Sequence, residues 1–459
     1  MKHFNTKPNL RPFSQRSALV GVGLKLQAIH LFDPIATGVH IPQKVVQYTP
    51  AQKLQDAFIS MLAGSHGLVE TNKRVRPDHA LQRAFGRAAC AEQSTISETI
   101  NCATEPNVTE LQAAVKTIYQ RFSHGYQHDY TKHWQILDAD TSGLPAGKKA
   151  ELCTKGYFAR QRNRRGRQLA RVTAARYAEV VIDQVYAGKI QLTTALQPLI
   201  LAAEDVLGLD TPKRSRTLWR IDAGGGSEDD VNWVLARDYH LLTKDSSSKR
   251  AAQLAQSVQV WYPDPKVQGR EVGLVTQPHP YVHATTQIAV RARKKNGRWG
   301  YAVLITTLSA SEILELLERP KTQADDPAAV LLAYGYCYDQ RAGGVEIQIK
   351  GDKQGLGLTK RNKRKFTAQQ VVVLLASVAH NVVIWARQWL SEASTRFAGY
   401  GIVRMVRDVF QTRGRVTLSA DGRVTDILLD QNEPMILEIV KGLRTLLTDK
   451  TVSINLGEI

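Results

Sequence analysis

Between Pro50 and about Tyr119 apolar residues recur at three- and four-residue spacing, as in Leu54, Phe58, Met61, Leu62 and again in Leu111, Val115, Ile118. That period predicts amphipathic helices. Within this region, PDHALQRAFGRAACAEQSTISETI divides into two short helices, one starting after Pro77-Asp78 and one near Gln93-Ser94. Their separation suits a helix-turn-helix whose second helix enters a major groove, although ordinary helical packing gives the same pattern. From Trp134 the character changes. WQILDAD is a short apolar run ending in carboxylates, and TSGLPAG after it reads as a turn-forming cluster. LTTALQPLILAAEDVLG is helical and apolar on one side. LWRIDAGGG repeats the earlier design of an apolar strand, an Asp at its end and glycines after it; WVLARDYHLLTK runs from a helix end into another strand. Such alternation implies an α/β sheet, which collects ligands at the carboxyl ends of its strands.

Residues 257–307 switch to the two-residue period of strands in SVQVWYPD, REVGLVTQ and TTQIAVRARKKNGRWGYAVLITT, with a hairpin turn at Asn296-Gly297. This β block reads as an insertion between two α/β pieces. SASEILELLERP and DPAAVLLAYGYCYDQR are then helical, and FTAQQVVVLLASVAHNVVIWARQWL predicts a long apolar helix opened by Thr367 with Gln370 completing a capping box. RVTLSADGRVTDILLD predicts a second hairpin across Asp421-Gly422. Residues 1–50 carry no clear pattern.

Composition narrows the function. The 459 residues, enough for roughly three structural units, carry 61 Lys+Arg against 42 Asp+Glu, a net charge of +19. Such a balance points to a polyanionic partner. Cys90, Cys102, Cys153 and Cys337 show no C-x-x-C spacing, which argues against a zinc site or a disulfide framework and for a reducing compartment. The basic N-terminus lacks the apolar stretch of a secretory signal. Phe366–Ala386 holds no Asp, Glu, Lys or Arg, yet its Gln369, Gln370, Ser377, His380 and Asn381 are costly in lipid. The expectation is a buried helix and a cytoplasmic protein without a membrane partner.

Four acids stand out: Asp138, Asp140, Asp222 and Glu346. Asp138 and Asp140 are two apart on one strand and share a face. Asp222 ends another strand before Gly224, Gly225 and Gly226, and Glu346 lies in YDQRAGGVEIQIKGDK, which begins a helix. Three carboxylates within about 5 Å repel by roughly 3 kcal/mol per pair at an effective dielectric near 20. Such a cluster needs protons or cations, and two hard ions, Mg²⁺ or Mn²⁺, suit oxygen ligands and in-line phosphoryl transfer. Each residue also has a plainer reading: strand-end Asp as a turn or cap residue, Glu346 and Lys350 as a surface ion pair. Two basic runs flank these segments. One carries Arg160, Arg162, Arg164, Arg165, Arg167, Arg171 and Arg176; the other carries Lys350, Lys353, Lys360, Arg361, Lys363, Arg364 and Lys365. Both are expected to contact phosphates.

In combination, LDADTSGLPAG, RIDAGGGSEDDVNWVLARDYHLLTK and YDQRAGGVEIQIKGDKQGL resemble the DDE transposases of insertion sequences, which have an RNase H-like catalytic core. The resemblance covers roughly Trp134 to Leu390. The last segment looks like the Tyr-Arg-Glu-Lys signature of the Tn-five-like branch, with Tyr338, Arg341, Glu346 and Lys353 in its places. Four residues separate Arg341 from Glu346 where the usual pattern has three. The resemblance implies an RNase H-like mixed α/β sheet with flanking helices over 126–395, a β-rich insertion at about 245–330, a mainly helical DNA-binding region over 1–125 and a C-terminal region over 396–459. It further implies that two divalent ions sit on Asp138 or Asp140, Asp222 and Glu346. Asp138 is preferred, because it directly follows Ile136-Leu137. Tyr338, Arg341, Lys350, Lys353, Arg162, Arg164, Arg165 and Arg167 are expected to hold DNA. The expected reaction is cleavage at element ends and joining to target DNA, by a homodimer on double-stranded DNA in a prokaryotic, nucleoid-associated setting.

Overall fold

The structure is a computed structural model that describes residues 11–45, 47–156, 158, 161, 163–448 and 451–459. The described residues gather into two compact units whose boundaries differ from the expected domains. One comprises His124–Pro145 and Thr154–Ile347; the other comprises the chain up to Ser123, Ala146–Cys153 and Gln348–Ile459.

The first unit is built on a ten-stranded mixed sheet. Its principal strands are β1 (Gln135–Pro145), β2 (Arg165–Ala174), β3 (Glu179–Ala187), β4 (Thr217–Ile221), β5 (His240–Lys244), β6 (Arg270–Leu274), β7 (Thr286–Arg293) and β8 (Trp299–Thr306). The spatial order is β3-β2-β1-β4-β5-β8-β7-β6, with Thr154–Lys155 and Tyr262–Pro263 as two short additions. β1, β2 and β3 form an antiparallel meander, while β1, β4 and β5 run parallel. The parallel connections need crossovers, and helices α1 (Leu192–Leu207) and α2 (Glu228–Leu235) supply them. Buried Leu218, Leu242, Ile288 and Leu304 from four strands pack with Ile313, Tyr334 and Cys337 into one core.

One local expectation changes here. TSGLP is not a turn: Thr141–Pro145 continues β1 and pairs with β2 from Thr141↔Ala170 to Pro145↔Gly166. Ladder hydrogen bonds outweigh the turn preference of Gly143 and Pro145. The β block joins the same sheet, because β8 pairs antiparallel with β5. The Asn296-Gly297 turn is present, with Gly297 at φ 77, a conformation that favours glycine. Helix α3 (Ala310–Leu316) starts at a Ser309/Glu312 capping box. Helix α4 (Pro327–Arg341) opens on Asp326 and leads into a π-helical turn over Ala342–Glu346; helix α5 (Ile347–Gly355) follows directly.

The second unit is mainly helical. The 28-residue helix Phe366–Ala393 lies at its centre, packed by Pro50–Leu62, Gln93–Cys102, Glu105–Phe122 and Ile436–Leu446. It is long and apolar enough to cross a membrane, but 89% of its most apolar stretch is buried inside the structure. His380 within it meets Asp352 at 2.7 Å. The expected Thr367 capping box is absent: the helix starts at Phe366, whose N–H donates to Glu151 Oε2 at 2.7 Å, so a distant carboxylate does the capping. The two short helices expected in the N-terminal region are His79–Ala84, capped by Asp78, and Gln93–Cys102. A small sheet contains the expected hairpin, Gly414–Leu418 with Val424–Asp430, around Gly422 at φ 79.

Candidate active site

Strand register brings the first two acids together. In the parallel β1–β4 ladder Asp138 faces Arg220 and Ala139 faces Ile221, so Asp140 and Asp222 come next to each other one step further on. β4 ends at Ile221 while β1 continues, so the two acids lie side by side where β4 stops. Asp222 is half-buried and accepts from the N–H of Gly224 through Oδ1 at 2.8 Å, so the plainer reading as a cap residue is also true of that oxygen. The glycines after it are required by packing: a Cβ at Gly226 would fall 1.9 Å from the Lys244 carbonyl oxygen.

α4 and the π-turn deliver the remaining groups. Arg341 is buried, and its Nη1 lies 3.2 Å from Asp140 Oδ2 while its Nη2 lies 3.2 Å from Glu346 Oε1. Its Nε–H is buried with no acceptor, an incomplete set of partners in a charged site. The π-turn explains how Arg341 and Glu346 meet despite the extra residue between them. One inserted residue in an α-helix turns the downstream face by about 100°, and a π-turn absorbs it. Tyr338 is one turn earlier on α4, with the Arg341 guanidinium 5.8 Å from its ring centre.

The electrostatics follow from this crowding. Burial pushes the Asp140 carboxyl up to about 7; Arg341 opposes the shift, whereas Asp222 and Glu346 add to it. Burial and neighbouring Asp222 push the Tyr338 hydroxyl up to about 12, against the pull of Arg341. Arg341 is held above its ordinary value, since Asp140, Tyr338, Asp222 and Glu346 outweigh the cost of burying it. The donor set consists of hard carboxylate oxygens, which suits Mg²⁺ or Mn²⁺. Among the described residues, however, no three Asp, Glu, His or Cys side chains stand together as a ready metal cage. A guanidinium stands between Asp140 and Glu346 where the cation would be, and Glu346 remains 53% exposed.

Asp138 has a different position, which corrects its expected place as first metal ligand. It is fully buried, and Arg220 takes both of its oxygens, Nε to Oδ1 at 2.7 Å and Nη2 to Oδ2 at 2.8 Å. Arg220 is the residue that sequence reasoning passed over. The signal was available, because strand alternation puts Leu218, Arg220 and Asp222 on one face, and a charge there needs a buried partner.

Among the expected phosphate contacts, Arg164 is exposed and Arg165 half-exposed, while Arg162, like Arg160, lies outside the described residues. Arg167 is a correction: it is 1% exposed in the middle of the sheet and cannot reach a phosphate. Arg171 is likewise committed, to Asp183 at 2.7 Å with both side chains buried. In the other unit Lys350 is exposed and Lys353 half-buried on α5, whereas Arg361 is buried on Ser60 and the Ser65 carbonyl, and Lys363 on Ser97.

The chain matches no described protein family and no curated protein. Among solved structures it is similar to one described as a cryo-EM structure of piggyBac transposase synaptic complex with hairpin DNA. That match has 12% identity and a TM-score of 0.45, over 87% of this chain and 82% of that one. A likeness of that size fixes neither fold family nor chemistry.

Proposed function

We propose that this protein is a DNA transposase of the DDE type, cutting at the ends of a mobile element and joining them to target DNA. The observation that carries this reading is the gathering of Asp140, Asp222, Arg341 and Glu346 where β4 ends beside the continuing β1, in a chain of net charge +19. The antiparallel meander continued by two parallel strands supports an RNase H-like core. Asp140, Asp222 and Glu346 are assigned as the ligands of two Mg²⁺ or Mn²⁺ ions, with Asp140 in place of Asp138. Bound there, the ions would supply an activated hydroxyl and stabilise the leaving oxygen of an in-line displacement. Arg341 then turns from the carboxylates to a DNA phosphate, its planar fork being suited to either, and Tyr338 stands beside it. Arg164, Arg165, Lys350 and Lys353 hold the backbone of double-stranded DNA, terminal repeats and target alike, in a homodimer that pairs two ends. The working compartment is the cytoplasm, on the nucleoid.

The test uses DNA carrying the element's own terminal sequences. Asp222→Ala and Glu346→Ala should each keep end binding and lose Mg²⁺-dependent nicking; normal nicking by both ends this proposal. A second reading has one observation in its favour. Arg341 already neutralises Asp140 and Glu346, as suits a transposase descendant kept as a DNA-binding regulator without strand chemistry. Strand-transfer product from the wild-type chain excludes that reading.

A further inference from the structure

One step inward from the acidic cluster, Arg220 ties three elements together. On β4 it faces Asp138 of β1 and holds it bidentately. Its Nη1 also donates to the carbonyl of Cys337 at 2.8 Å and approaches Gln340 Oε1 at 3.4 Å, both on α4. The π-turn leans on the same pair: a Cβ added to Gly344 would lie 3.1 Å from Asp138 Oδ2. Asp140 is two residues beyond Asp138, Asp222 two beyond Arg220, Arg341 four beyond Cys337 and Glu346 two beyond Gly344. Each group of the proposed centre is therefore a short covalent step from a residue of this pair, or from one it holds or closely borders. A buried ion pair is a poor source of stability, and apolar residues of similar size often serve as well or better. Its worth lies in fixed geometry, which the rigid guanidinium fork provides.

We infer that Asp138 and Arg220 are positioning residues, a clamp that sets Asp140 and Asp222 against the helix and π-turn presenting Arg341 and Glu346. The inference rests on the reading of Asp140, Asp222 and Glu346 as metal ligands. Displacing reacting groups by about 1 Å costs on the order of 100-fold in rate, and loosening the support of a metal ligand costs about 10- to 100-fold in affinity.

The test uses the full chain in three forms: the neutral pair Asp138→Asn with Arg220→Gln, the single Arg220→Lys that keeps charge but loses the fork, and Gly344→Ala, which presses on the pair from the helix side. Melting temperature, binding to DNA ends, Mn²⁺ binding by electron paramagnetic resonance without DNA, and Mg²⁺-dependent nicking are read for each. Folded variants should bind DNA as the wild type does, bind Mn²⁺ about tenfold more weakly, and nick about 100-fold more slowly. Wild-type Mn²⁺ affinity and nicking in any folded variant lacking the pair overturn the inference. Should the first two variants fail to fold, Gly344→Ala decides, with unchanged Mn²⁺ affinity overturning it. If the wild-type chain binds Mn²⁺ through Asp222 but nicks nothing, the transposase proposal fails while the Mn²⁺ comparison still judges the clamp. If it binds no Mn²⁺, both fall.

Discussion

Replacing Asp140 with Asn should stabilise the protein above neutral pH, at the expense of its chemistry. The Asp140 carboxyl lies at about 7 in the folded chain against 3.8 for an ordinary aspartate, with burial as the main cause. Between roughly pH 4 and pH 7 the native state therefore keeps a proton that the unfolded chain has released. With more protons on the native side, stability falls as pH rises through this window, and it levels off once the folded carboxyl has ionised. At 1.36 kcal/mol per unit, a shift of about 3 units makes the ceiling about 4 kcal/mol. Asn copies the protonated side chain in size and removes the decline. The variant should match the wild type near pH 4 and exceed it by up to that amount at pH 8, of the order of 10 °C in melting temperature for a unit of this size. Melting curves of both chains in EDTA from pH 4 to pH 8 provide the test. Mg²⁺ should raise the wild-type melting point at pH 8 and leave Asp140→Asn unmoved. Parallel melting temperatures across the whole range would refute the idea that Asp140 is a carboxylate forced into an acidic, desolvated site.

Three other outcomes follow from the same geometry. In the helical unit Arg87 holds Asp56 through two hydrogen bonds of 3.0 and 3.1 Å, both side chains buried; Arg87→Ala strands that carboxylate and should cost about 3–5 kcal/mol by denaturant titration, with a milder loss when both residues become apolar. Affinity for DNA should fall about 10³- to 10⁵-fold between 50 and 200 mM salt if some 6–10 phosphates are neutralised, and Arg164→Ala or Arg165→Ala should each lower the salt slope by about 1, whereas loss of buried Arg167 should lower stability and leave the slope of the folded fraction unchanged. Deleting Gly343, where an added Cβ would meet nothing within 4 Å, should convert the π-turn to regular α-helix, keep Arg341 beside Glu346 and preserve both melting temperature and nicking; an unfolded product contradicts the role given to that turn.

The legible parts of the sequence are those fixed by neighbours along the chain. The Asn296-Gly297 turn, the Asp421-Gly422 hairpin and the strand end at Asp222 are local signals, and the structure has each where expected. Residues whose state depends on distant partners are not legible from the sequence. Asp138 and Asp140 share a strand face, and only Arg220, 82 residues away, separates the carboxylate held on both oxygens from the one that shares Arg341 with Glu346. TSGLP resembles a turn until β2 pairs with it, and Thr367 resembles a cap until Glu151 takes that task. Arg167, Arg361 and Lys363 sit in basic runs that suggest a phosphate surface, yet each points inward to partners no charge count reveals. The irregular Arg341–Glu346 spacing is taken up by five residues of π-helix.

Iron-directed backbone cleavage tests the central claim most directly. Fe²⁺ substituted for Mg²⁺ in the full chain, with ascorbate and peroxide, cuts the polypeptide beside wherever the ion binds. The account predicts cuts near Asp140, Asp222 and Glu346 together, competed by Mg²⁺ and lost in Asp222→Ala. Cuts at only one of these positions, or at a site elsewhere that Mg²⁺ protects, would contradict it.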